Sequence, residues 1–575
     1  MQAQSGVVRR VRLSGTVCLL AGAMLLLVAQ QAPAATANSF GIVSGKNDST
    51  TVNKNTTALK QVASTFVGNL TFPDGATYFF NDVIPFHDGV NIDLMGSTLS
   101  FSKSATSSDA GSGFIFAIRN FSIANGKIDV NYDGTGVAHA GNALKLGQRW
   151  SDGGTYFQPS LDSNLSSPMG NIVVSNLTIT SNNPNAECGI SLTGGLQNVQ
   201  ISNVTVDGES RLICGIYYEF GQATQPIDPA STPKPAPPFT SHAHQMAFSA
   251  ITVKNLNPTP PTNSVTIGFG LGGAYDTTVD GLTVTGPVSF GFFGTAGEAA
   301  FYKMWPSQVA AQNRTVTLRN VTVSQATSAA MALGGAGYFQ NVASCGSASN
   351  PQGYCGYLGR YLDPSSYTAA NETDELNYVV DGFNLTAASG SSAWGVSTNA
   401  RSVDISNGTA TGFQSGFLGT DDCTMISLDN VKVFDSLKEG MRLDYPGIYT
   451  TPRSKSGYIK FSTVAGSGTS GGGAYGIEMN HVSGLIVEYN NFGYPAELFQ
   501  TGALNLGSSA TNVLVYGNHV VVPVRSLTPV YANATAGLNL DVLQANTGRT
   551  SAQGIWTVAP DPAAVLGILS IYLAR

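Results

Sequence analysis

The feature that most restricts this sequence is a phrase that keeps returning. It reads most plainly as Asn171-Ile-Val-Val-Ser-Asn-Leu-Thr-Ile-Thr180, turns through a polar corner, and runs on as Cys188-Gly-Ile-Ser-Leu192. It restarts as Asn198-Val-Gln-Ile-Ser-Asn-Val-Thr-Val206 and Cys214-Gly-Ile-Tyr-Tyr218. Altered versions follow at 265–269, 316–323, 403–407, 427–433, 476–479 and 512–516. A unit of roughly 20 to 30 residues lies in the range where each repeat is one turn of a solenoid. Alternating apolar and polar residues mark strands, and Asn, Asp and Gly at the breaks mark turns, so each coil is expected to hold three short strands. A sandwich or a propeller also has many short strands. Here, however, apolar residues align column to column across about a dozen units, and the units differ by insertions at one corner. The expected fold is all-β: a right-handed parallel β-helix, a solenoid with an N-terminal capping helix.

A solenoid lengthens by adding coils, so 575 residues need not mean several domains. Charged residues are only 11% and there are 66 glycines, which suits stacked strands with tight corners and disfavours long helices. No basic stripe or helix is present, so nucleic acid is not an expected partner. Residues 1–37 have a basic start (Arg9, Arg10, Arg12), an apolar run too short to span a bilayer, and small-residue cleavage patterns at Ala32-Pro-Ala34 and Ala35-Thr-Ala37. That is the pattern of a secretory signal peptide. The mature chain is then expected to be secreted, periplasmic or on the cell surface, without a transmembrane segment. Its formal charge moves from −7 to about −10 when the three arginines leave.

The further divisions are an N-terminal cap and first coil at 38–100, the β-helix with inserted loops at 101–525, and a C-terminal cap or tail at 526–575. Helical spacing at Thr57-Ala-Leu-Lys-Gln-Val-Ala-Ser-Thr-Phe66 supplies the cap that an open solenoid end requires. In an oxidising compartment, Cys345 and Cys355 are expected to close a short disulfide loop. Cys188 and Cys214 hold one place in consecutive coils, which suits either a disulfide or an unbonded stack. Cys423 has no obvious partner.

A Phe-Gly and an Asp near the start, the capping helix, Pro73-Asp-Gly-Ala-Thr-Tyr78 and a following Gly-x-x-Leu together resemble the opening of the pectate-lyase-like β-helix superfamily. The family form is Pro-x-Gly-x-Tyr, and this chain carries one extra residue before its Tyr. The resemblance covers most of the mature chain at the level of fold. It implies an extracellular or phage-borne enzyme on polysaccharides: a glycoside hydrolase, a lyase or a uronate epimerase. A homo-oligomer, a trimer, is among the states common in such relatives. Gly419-Thr-Asp-Asp-Cys423 is similar to the Gly-x-Asp-Asp-Cys of polygalacturonase-type hydrolases, although here the acids follow the strand instead of opening it. The tail at Pro560-Asp-Pro562, with its apolar stretch and final Arg575, resembles a bacterial C-terminal sorting signal and equally suits a capping strand or helix.

With Gly-Ile-x-Leu-x as the frame, Ile and Leu inward, the outward residues are Lys145, then Ser191 and Thr193, then Tyr217 and Glu219. Small residues around Gly268, Gly291, Ala332 and Gly395 suggest a flat, open floor beyond. Asp421, Asp422, Arg442, Asp444 and Glu478 then converge on consecutive coils, with Asn480 and His481 adjacent. Stacked coils about 4.8 Å apart bring these acids within about 10 Å of one another. Paired carboxyls can divide acid and base roles in glycoside hydrolysis. The same acids can instead hold Ca²⁺ against a uronate while Arg442 removes a proton, which is lyase chemistry. No cofactor is needed for hydrolysis; Ca²⁺ is implied only for a lyase. A second patch comprises Lys145, Tyr217 and Glu219 with His242 and His244, a plausible His–Glu acid/base pair. Trp150 and Trp305, on inserted loops, offer flat apolar faces to sugar rings along a groove. A non-catalytic adhesin that uses such loops only to bind is the remaining class.

Overall fold

In the computed structural model, the described residues are 34–73, 75–102, 113–131, 142–147, 169–182, 188–194, 196–219, 243–260, 265–295, 315–334, 377–398, 400–420, 423–445, 455–470, 474–493 and 500–506. Shorter stretches at 510, 513–516, 518–520, 530–532, 542–544 and 547–548 complete them. Every strand pairing among the described residues is parallel, within one sheet of 35 strands. The chain is a right-handed parallel β-helix.

The central coils have a short strand, exemplified by Cys188–Thr193 and Cys214–Glu219, and a longer bent strand, exemplified by Leu196–Asp207. The short strands stack into what we call the front face. The longer strand is bent at Asn203, φ +51°, so it supplies the other two sides of a three-sided coil. Left-handed backbone costs most L-residues about 1–2 kcal/mol, and Asn tolerates it best after Gly. The sequence therefore places Asn at this vertex in coil after coil: Asn125, Asn176, Asn203, Asn320, Asn407 and Asn430 all have positive φ. Their amides bond along the axis, Asn176 Nδ2 to Asn125 Oδ1 at 3.0 Å and Asn203 Nδ2 to Asn176 Oδ1 at 2.8 Å. The Asn-x-Thr triplets at 176 and 203 are thus corner devices, which explains their recurrence in the sequence.

Inward residues form one continuous core, including Ile190, Ile216, Phe269, Phe292, Met331, Val396, Phe417, Met441 and Ile477. The capping helix is longer than its sequence pattern suggests, Ser49–Thr65. Its first turns are Thr-rich and weakly helical by propensity, but Asp48 caps them by accepting from Thr51 N at 2.9 Å. Tyr78, fully buried, donates to the Pro73 carbonyl at 3.1 Å, so the Pro-to-Tyr motif closes on itself. The strand Ala34–Thr36 pairs with Gly68–Thr71, ahead of the buried Ala37. Ladder pairing also continues through Val530–Ala532, Val542–Gln544 and Thr547–Gly548, past the point where the sequence repeat fades.

Cys188 and Cys214 are disulfide-bonded, with Cα atoms 4.5 Å apart, so the stack is a covalent one. Cys423 is buried, its Sγ 3.4 Å from the Thr398 carbonyl oxygen. Cys345 and Cys355 lie outside the described residues.

Candidate active site on the front face

One outward column of the front face can be followed rung by rung: Phe116, Lys145, Ser191, Tyr217, Gly270, Phe293, Ala332, Ser397, Leu418, Arg442, Glu478, Asn505. A parallel column three positions earlier in the strand runs Cys188, Cys214, Ile267, Phe290, Ala329, Trp394, Ser415. The residue between the columns is usually Gly because the neighbouring coil presses on it. A Cβ on Gly440 would stand 2.2 Å from Val464 Cγ1.

The flat, open floor expected around Gly268, Gly291 and Gly395 is not there. Those glycines face crowded backbone: a Cβ on each would meet a carbonyl oxygen of the next coil at 2.6, 2.7 and 2.3 Å respectively. The outward places are held instead by Gly270, Phe293 and Ser397. Around them Cys188, Cys214, Ile267, Phe293, Ala329 and Ala332 form a second apolar cluster, with Tyr217, Phe290 and Trp394 packed against it. The middle of the face is greasy and largely buried.

Charge returns two rungs beyond Ser397. Arg442 and Glu478 are register partners on adjacent coils, about 4.8 Å apart along the axis. Glu439, in the earlier column directly before Gly440, sits beside them, with its Oε2 3.8 Å from Arg442 Nη1. Its side chain is only 13% exposed, and that Oε2 accepts no hydrogen bond among the described residues. A nearly buried carboxylate against a guanidinium holds the Arg in place, since separating them would strand a charge away from water. Arg442 keeps 23% of its side chain exposed and Glu478 is half-buried, so both face solvent in part. Asp444 occupies the strand position two beyond Arg442. Asn480 directly follows the next strand, Ala474–Met479, its Oδ1 accepting from His481 N at 3.1 Å, and the His481 carbonyl accepts from Lys455 N at 2.9 Å. These two residues shape the corner beside Glu478. Asp421 and Asp422 lie outside the described residues.

Glu439 was not among the sequence candidates. The signal was present: a residue followed by Gly opens the frame at Cys188, Cys214, Ile267, Phe290, Trp394 and Ser415, and Glu439-Gly440 and Tyr475-Gly476 continue it.

The second patch is organised differently. Lys145 is 1% exposed; its Nζ donates to Ser191 Oγ at 2.8 Å and to Thr193 Oγ1. Tyr217 follows on the next rung, its ring against Gly270. Glu219 ends the strand Cys214–Glu219, one rung from Thr193. His244 does not fold over Glu219 from a loop: it opens the next strand, His244–Lys254, pairs with Gln197 and Tyr275, and stacks on the Tyr275 ring at 5.1 Å. His242, Trp150 and Trp305 lie outside the described residues. Six rungs separate Tyr217 from Arg442, about 29 Å, so the two patches are not one centre. Among the described residues no group of three His, Cys, Asp or Glu is arranged to hold a metal ion, and no helix is long and apolar enough to cross a membrane.

No family model matches the sequence, and no curated protein matches it. Among solved structures, the tailspike protein of E. coli bacteriophage HK620, a double mutant in complex with a pentasaccharide, is 12% identical with a TM-score of 0.49. That match covers 89% of this chain and 78% of the other. The Streptococcus pneumoniae surface protein and adhesin PfbA is 11% identical with a TM-score of 0.41, covering 90% and 100%. Both are likenesses of fold and assign no activity here.

Proposed function

We propose that this chain is a secreted, glycan-processing β-helix protein that binds a polysaccharide across the front-face coils carrying Arg442 and Glu478 and hydrolyses it there. The observation that carries this reading is the Glu439–Arg442–Glu478 constellation. In its own column it follows seven consecutive uncharged residues, Ser191 to Leu418. The superfamily resemblance of the N-terminal motifs points the same way. Glu478 would act as the acid that protonates the leaving glycosidic oxygen. Asp444 would be the second carboxylate, activating water or attacking the anomeric carbon. Arg442, anchored by Glu439, would donate to sugar hydroxyls and lock the chain across the two coils. Hydrolysis through this pair needs no metal. Lyase or epimerase chemistry on a uronate polymer is the nearest alternative, and there Ca²⁺ would bridge the acids and the substrate carboxylate.

The test is a digestion screen on neutral and uronate polysaccharides, with and without Ca²⁺, comparing wild type with Glu478→Gln. Reducing ends that rise without unsaturated-uronate absorbance, and that disappear in the variant, support hydrolysis. Absorbance rising with them would move the chemistry to elimination. Glycan retained without any cleavage would leave a binding protein.

A further inference from the structure

The vertex that carries Asn in six coils changes character near the C-terminal end. Register continues it from Asn430 to Phe461 and Tyr489, through the pairs Asp429–Lys460 and Lys460–Glu488. Both aromatics keep the left-handed backbone, φ +51° and +53°. Asn earns its place there by bonding its amide to the next coil, as Asn430 Nδ2 does to Asn407 Oδ1 at 2.9 Å. Phe cannot do this, and a bulky residue at positive φ is a conformational outlier.

Burial does not account for the exchange either. Phe461 is 54% exposed and Tyr489 45%, among the most exposed large apolar side chains of the described residues. Their rings are stacked 5.6 Å apart and 8° from parallel. Lys460 Nζ lies 4.3 Å from the Tyr458 ring centroid and 6.0 Å from that of Phe461, and 3.4 Å from Asp429 Oδ2. Glu488 is the rung partner of Lys460, and Asp404 lies nearby on the same side. The result is a firm aromatic step bordered by charged groups that can bond hydroxyls.

We propose that Phe461 and Tyr489 form an accessory glycan-binding step that takes pyranose rings of a neutral polysaccharide. Aromatic surface accepts the C–H face of a sugar while hydroxyls reach Lys460, Asp429 and Glu488. Among Lys460, Asp429, Glu488 and Asp404 carboxylates outnumber lysine, which disfavours a polyuronate. The step lies at the vertex opposite the front face, on the coils that carry Arg442 and Glu478. It therefore tethers the polymer and does not hold the bond to be cut. It stands whether or not hydrolysis occurs at Glu478.

The test replaces both rings with the residue the other coils use, Phe461→Asn with Tyr489→Asn, which keeps the left-handed corner. Affinity electrophoresis through gels containing galactomannan, arabinogalactan or polygalacturonate reads retention. At least a fivefold loss on a neutral polymer is expected, with melting temperature unchanged or raised and turnover of short oligosaccharides within twofold of wild type. The exchange Phe461→Tyr with Tyr489→Phe should keep retention, which guards against a folding artefact. Unchanged retention in the Asn variant would overturn the proposal, as would a loss confined to polygalacturonate. A wild-type oligomer that the Asn variant dissociates in sedimentation would overturn it by assigning the rings to a second copy of the chain.

Discussion

Lys145 and Arg442 occupy the same outward column of one face, yet they have opposite surroundings. Lys145 is buried, its ammonium bonded to the hydroxyls of Ser191 and Thr193 two residues apart on the next coil. Arg442 stays partly open, with a nearly buried carboxylate behind it and another carboxylate on the next coil. A cation taken out of water and bonded to hydroxyls of the next coil serves the fold. A cation backed by one acid and facing another at the surface is the arrangement the proposed glycan contact requires. Column position fixes which way a side chain leaves the sheet, and the neighbouring rungs fix what it can do.

The largest effect expected from this contrast is on turnover. On a substrate that the wild type cleaves, Arg442→Lys should lower kcat/KM by about 10²-fold or more, because an ammonium cannot reproduce a two-sided guanidinium contact. Glu439→Gln should follow with a smaller loss expressed mainly in KM, since it loosens Arg442 without touching substrate. Steady-state kinetics on both variants checks this, and equal losses in kcat for the two would assign Glu439 to the chemistry itself.

Lys145→Ala should do the reverse. It removes a buried stem and leaves two hydroxyls short of a donor, costing about 2–4 kcal/mol in denaturant unfolding while kcat/KM stays within twofold. A variant that folds as well as wild type and loses activity would make the Lys145 patch the functional one. The neighbouring disulfide sharpens the same point: Cys188 and Cys214 are 26 residues apart in sequence, and a closed loop of that size is worth about 3.5 kcal/mol in the chain-entropy account. Replacing both by Ser should lower the unfolding midpoint and spare turnover.

The smallest effect concerns a carboxylate outside both patches. Asp404 has its proton affinity raised above the ordinary value of 3.8 by burial first, then by Asp429, with Asp381 adding and Lys460 opposing. An acid whose pKa is raised by folding destabilises the native state fully above its folded pKa, and the penalty fades as pH falls toward 3.8. Asp404→Asn should therefore raise the melting temperature at pH 7, and the gain should shrink on acidification. A gain independent of pH would point to packing instead of charge.

Much of this was legible in the chain itself. Gly-Ile-x-Leu fixes inward and outward sides because strand alternation leaves no other choice, and so the outward placement of Arg442 and Glu478 on adjacent coils could be read beforehand. Glu439 escaped because it precedes the strand, where the bend at Gly440 brings an extra residue onto the outward side. The same bend explains why Gly268, Gly291 and Gly395 looked like an open floor: alternation was carried through a glycine that the next coil holds tight. Whether Cys188 and Cys214 were bonded depended on coil spacing, which sequence does not report. The aromatic corner at Phe461 and Tyr489 was hidden because the repeat signals Asn there, and nothing local says that a Phe has taken the same backbone.

The most direct measurement is a crystal structure of Glu478→Gln in complex with an oligosaccharide taken from the digest. The account predicts a sugar within hydrogen-bond reach of the Arg442 guanidinium, with its glycosidic oxygen beside residue 478. An oligosaccharide seated over Tyr217 and Glu219, with the Arg442 coils empty, would contradict it.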